Sequence, residues 1–60
     1  MSVYYSIDTG DGHQLTTGLS EVVARRVAQR MANERGESVF LYASDASPDE
    51  PSEEVKPGAQ

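Results

Sequence analysis

The sequence predicts an α+β domain: a β-hairpin, one helix and a third strand, forming a three-stranded antiparallel sheet with the helix on one face. Three observations predict it. Residues 2–7, SVYYSI, alternate Val3, Tyr5 and Ile7 with Ser2, Tyr4 and Ser6, the period-2 pattern of a strand. Residues 20–35, SEVVARRVAQRMANER, repeat Val23, Val27 and Met31 at i, i+4 and i+8, with Ala24 and Ala28 beside them in a narrow apolar stripe, the period of a helix. Residues 38–43, SVFLYA, read as a strand apolar on both faces, with Val39 and Leu41 on one and Phe40 and Tyr42 on the other.

After the first strand, Asp8-Thr9-Gly10-Asp11-Gly12 is nearly all turn-forming residues and reads as a hairpin loop, with Asp8 accepting backbone N–H bonds. A weaker second strand, His13–Thr17, returns with Leu15 inward, and Gly18-Leu19 breaks it. Ser20 is the expected N-cap, because its hydroxyl can accept from an orphaned backbone N–H, and Glu21 suits the positive end of the helix dipole. Gly36 supplies the left-handed residue that stops a helix. Strand order 2-1-3 puts the most apolar strands together, whereas 1-2-3 would centre the polar second strand and need a parallel crossover. The helix should then bury Val3, Tyr5, Ile7, Leu15, Val23, Val27, Met31, Val39 and Leu41.

From Ser44 onward the chain has three prolines, five acids and one valine. Such a stretch lacks the apolar content to fold, so the expected organisation is a ββαβ domain over 1–44 and a disordered, acidic, proline-containing tail over 45–60. The net charge of −5 divides as −1 over 1–44 and −4 over 45–60, which makes the acidity a property of the tail. There are no cysteines, so neither disulfides nor thiolate metal sites reinforce the chain. No run approaches the length of a membrane span, and a soluble cytoplasmic protein is expected.

Motifs for chemistry are weak. Asp8-Thr9-Gly10 matches the aspartic-protease triplet, but that chemistry needs two such loops sharing a proton across a cleft. Asp8 and Asp11 lack the glutamate that closes an EF-hand loop, since Leu19 stands at the twelfth position. His13 is the only histidine and has no nucleophile or orienting partner at a defined spacing. Gly10 and Gly12 are followed by no Lys-Ser/Thr and lead into a strand, so they form no phosphate loop. These readings point to no enzyme, no cofactor and no metal.

What remains is surface. Alternation places Tyr4, Phe40 and Tyr42 on the sheet face away from the helix, and a contiguous exposed apolar patch is uncommon in monomers. Arg26 and Arg30 lie one turn apart on the helix, an arrangement that is ordinarily a solvated face. Tyr4, Phe40, Tyr42, Arg26 and Arg30 are the candidate partner-binding residues. The acidic balance, and the lack of basic residues beside the aromatics, argue against direct nucleic-acid binding.

The layout of hairpin, alanine-rich helix ending Ala32-Asn33-Glu34-Arg35-Gly36, then a Val39-Phe40-Leu41-Tyr42 strand, resembles small phage and bacterial domains of unknown function. Over residues 3–43 it is also similar in size and layout to phage-encoded anti-CRISPR inhibitors, which are short, cysteine-poor and non-enzymatic. That resemblance implies an inhibitor that occupies the surface of a nucleic-acid-handling complex, and it transfers no site residues. The alternative is a homodimeric structural or regulatory subunit packing through its open sheet face.

Overall fold

The computed structural model describes residues 3–47 and 49–58. Ser2 of the expected first strand, and Pro48, Ala59 and Gln60 of the expected tail, lie outside the described residues. The elements in order are β1 (Tyr5–Thr9), β2 (Gln14–Leu19), α1 (Glu21–Arg35), β3 (Val39–Ala43) and β4 (Glu53–Val55). The sheet is antiparallel throughout, in the order β2-β1-β3-β4.

The 2-1-3 core of that order is the expected one, but the fourth strand corrects the three-stranded fold and the disordered tail together. Val55 pairs with Val39 and is buried, and Glu53 pairs with Leu41. The Ser52 amide donates to the Leu41 carbonyl at 2.7 Å, and the Ser52 hydroxyl accepts from the Ala43 amide at 3.2 Å. Helix side chains hold the segment from above. Gln29 Nε2 donates to the Lys56 carbonyl at 2.8 Å, Asn33 Oδ1 accepts from the Gly58 amide, and Arg25 pairs with Glu53. The segment thus satisfies the outer edge of β3, whose unpaired amides and carbonyls would otherwise need water.

The helix meets the sheet through Ala24, Ala28 and Ala32, all fully buried, with Val27 and Met31 half-buried beside them. Beneath lie Ile7, Val39, Leu41 and Val55. Expectation had put Val23 in this seam, yet it is 44% exposed, and Val3 is exposed too. The contact row is rotated toward the alanines, whose small side chains let the helix axis approach the sheet while the larger strand residues fill the space between. The partly buried Tyr5, Leu15 and Leu19 close the margins.

The helix ends are built as the sequence suggests, with one difference. Gly36 is left-handed at φ 69° and its amide donates to the Ala32 carbonyl at 2.8 Å. Ser20 occupies the N-cap in an extended conformation, but its hydroxyl makes no capping bond; its carbonyl accepts from the Ala24 amide at 2.7 Å. Between β1 and β2 the register shifts twice, and Gly18, expected to end the second strand, instead lies within β2 at φ 78°. That positive φ suits a bulge and glycine alone enters it without strain.

Candidate functional site

Pairing register sorts β3 onto two surfaces. Val39 and Leu41 face the helix, and Phe40 and Tyr42 face away, opposite Asp8 and Ser6 of β1 respectively. On the far side of Phe40 stands Glu54 of β4. Tyr4 precedes β1 and is tied to the end of β3: its carbonyl accepts from the Ser44 amide at 2.8 Å, and its amide donates to Ser44 Oγ at 3.1 Å. Tyr4 is 54% exposed, whereas Phe40 and Tyr42 are half-buried with no layer above them. Phe40 stays partly covered because its ring edge lies over Gly10, where an added Cβ would come within 3.5 Å of Phe40 Cε1.

Polar residues complete this open face. Ser6 and Thr17 hydroxyls share a hydrogen bond of 2.8 Å across β1 and β2. Asp8 pairs with Gln14 on one side and Phe40 on the other. Asp8 was expected in the loop as a turn-former; it lies in β1, and the turn is organised by Thr9 instead. The Thr9 hydroxyl accepts from the His13 amide at 3.1 Å and bonds Asp11, while the Thr9 amide donates to the His13 carbonyl at 2.8 Å. The hydrogen bond from Thr9, then the one from the His13 backbone, holds the Asp11 carboxyl below the ordinary aspartate range. Asp8 Oδ1, by contrast, is shielded from solvent and has no hydrogen-bond partner among the described residues.

A shallow cleft of about 560 Å³ opens on this face, and its lining includes Ser6, Asp8, Gln14, Tyr42 and Ser44. Sequence reasoning missed Asp8 as part of it, because β1 ends at Thr9, two residues beyond the expected end at Ile7, and this keeps Asp8 in the strand. Alternation with Ser6, extended past Ile7, was the available signal.

The arginine candidates stand elsewhere. Arg26 and Arg30 are exposed on the side of the helix away from the sheet, so the fold does not unite them with Tyr4, Phe40 and Tyr42. Arg30 pairs with Glu34 at 3.3 Å, and Arg26 has no ion partner among the described residues. Arg25 makes the more structural contacts, to Glu21 at 3.1 Å and to Glu53, and these raise its already high pKa, the Glu21 bond first.

Among the described residues no three His, Cys, Asp or Glu side chains gather as a metal site, and no helix is long and apolar enough to cross a membrane. No family model matches the chain, and no curated protein or solved structure matches it significantly.

Proposed function

We propose that the protein is a non-enzymatic protein-binding module that acts in the cytoplasm by occupying the surface of a basic partner, in the manner of an inhibitor of a nucleic-acid-handling complex. The observation that carries this reading is the open sheet face, where Phe40 and Tyr42 lie half-buried beside Asp8 and Glu54, with Tyr4 exposed just before β1. Aromatic side chains bring large contact area at small entropic cost, and they are the usual anchors of interfaces. Charge supports a basic partner. Glu53 and Glu54 belong to β4 and are paired into the sheet, so part of the acidity of residues 45–60 is carried on the folded surface. All four arginines are on the helix, on the other layer of the molecule.

The same charges weigh against two copies packing face to face. Such a dimer would bring Asp8 and Glu54 of both chains into one interface with no arginine from either face to offset them. The inhibitor aspect rests on the likeness in size and layout to phage-encoded inhibitors, together with this acidic surface.

The test uses wild type, Phe40→Ala and Tyr42→Ala as matched baits for the source-cell lysate, followed by affinity measurement with the recovered, purified partner. Each variant should bind about 30-fold more weakly, the equivalent of about 2 kcal/mol for a buried aromatic anchor. Equal affinity for all three would place recognition off this face. Sedimentation of the free protein addresses the dimer: a wild-type dimer that Phe40→Ala splits would make the second copy the occupant.

A further inference from the structure

We propose that the cleft beside Tyr42 receives an arginine side chain of the partner, with Asp8 as its carboxylate anchor; this rests on the protein-binding reading of the open face. Two independent features meet there. The cleft is an open depression of about 560 Å³ whose lining includes one carboxylate, one aromatic ring, and the polar side chains of Ser6, Gln14 and Ser44. Asp8, one of the residues lining it, also holds an oxygen that is shielded from water and has no hydrogen-bond partner among the described residues.

A buried acceptor without a donor is costly, and the cost is recovered when a donor arrives from outside. Among the described residues no donor is placed to do this. Gln14, the cross-strand neighbour, leaves Oδ1 unpaired, and the Ser6 hydroxyl is already engaged with Thr17. The arginines are all on α1, with the sheet between them and the cleft.

The chemistry of the lining selects among cations. A metal ion would need several ligating side chains, and Asp8 is the single carboxylate lining the cleft. A guanidinium is planar, carries a fork of donors that matches a carboxylate, and stacks favourably on a tyrosine ring. Asp8 and Tyr42 supply those two surfaces in one cleft: Asp8 is paired directly with Phe40, and Tyr42 is two residues further along β3. The remaining donors of the guanidinium can meet the Gln14 carbonyl oxygen and the Ser44 hydroxyl.

The experiment titrates isotope-labelled protein with N-acetyl-arginine amide, and separately with N-acetyl-citrulline amide, which has the same shape without the charge. Backbone amide shifts are followed by NMR. The arginine probe should move the amides of Ser6, Asp8, Gln14 and Tyr42 saturably in the millimolar range, and the citrulline probe should leave them in place. Asp8→Asn, folded as judged by unchanged Ile7 and Leu41 amides, should bind the arginine probe about tenfold more weakly. Should Asp8→Asn fail to fold, the citrulline comparison on wild type decides alone. No shifts, equal shifts with both probes, or shifts confined to the helix acids Glu21 and Glu34 would overturn the proposal. The broader reading fails separately: if the arginine probe binds here while Phe40→Ala and Tyr42→Ala keep full affinity for the captured partner, the cleft stands and the protein-binding face does not. If those variants lose the partner but the probe does not bind, the face stands and the arginine pocket does not.

Discussion

Leu41 and Phe40 are neighbours in β3, yet one is sealed beneath the helix and the other lies on the uncovered face. The same contrast runs across the whole sheet. Toward the helix the strands present Ile7, Val39, Leu41 and Val55, and the only buried polar side chain among the described residues is that of Thr9. Away from it they present Ser6, Asp8, Phe40, Tyr42 and Glu54. A single layer of helix can close one face of a sheet only, so stability is concentrated on the first surface and the second is left uncovered. Substitutions on the two faces should therefore separate into losses of folding and losses of binding.

The largest expected effect is on the covered face. Ala28→Asp places a carboxylate in a fully buried seam with no partner, at a cost of several kcal/mol, and should unfold so small a domain. Val23→Asp, five residues earlier on the same helix, should change stability by about 0.5 kcal/mol or less because Val23 is on the surface. Circular dichroism during urea denaturation reads both. If Val23→Asp unfolds the chain and Ala28→Asp does not, the helix sits on the sheet through the valine row instead.

The rotation of the helix shows what could be read in advance. The helix limits, the Gly36 stop, the antiparallel β2-β1-β3 pairing and the inward Ile7 and Leu41 were all legible from period and turn chemistry. The contact row was legible in part: Val27 and Met31 do pack against the core, but its centre lies on the alanines and Val23 is outside it, because hydrophobicity ranks valine above alanine while close approach of helix to sheet favours the smaller side chain. β4 escaped notice for a different reason. Three residues containing one valine carry no local strand signal, and their order comes from non-local pairing with β3 and from Gln29, Asn33 and Arg25 above. On the open face, Phe40 and Tyr42 followed from alternation, but Asp8 was hidden by its resemblance to a turn residue.

Removing residues 49–60 is the next largest perturbation. It exposes the β3 edge and deletes buried Val55, whose burial contributes up to about 1.5–3 kcal/mol before the entropy of ordering the segment is subtracted. A net loss greater than about 1 kcal/mol in unfolding free energy is expected. An unchanged denaturation midpoint would return this segment to the status of an appendage, and the acidity of the folded surface with it.

A smaller effect is expected in the hairpin. The Asp11 carboxyl should titrate below the ordinary aspartate range, and Thr9→Val, which removes the first cause, should move it back up. Because the folded pKa is the lower one, the associated stabilisation is present above the unfolded value of about 3.9 and is lost as pH falls through the folded value. NMR titration of the side-chain carboxyl in both proteins measures this. Equal midpoints would show that the Thr9 hydroxyl does not organise the turn.

The division of the sheet into a stabilising and a free face is tested most directly by unfolding Leu41→Ala and Phe40→Ala side by side in urea. Leu41→Ala should lose about 2–4 kcal/mol, as fully buried leucines do. Phe40→Ala removes the larger side chain but should lose only about 1 kcal/mol, since its side chain is half-buried on the face that the helix does not cover. Equal losses, or a greater loss for Phe40→Ala, would contradict the account, because Phe40 would then belong to the core and the open face would not be free for a partner.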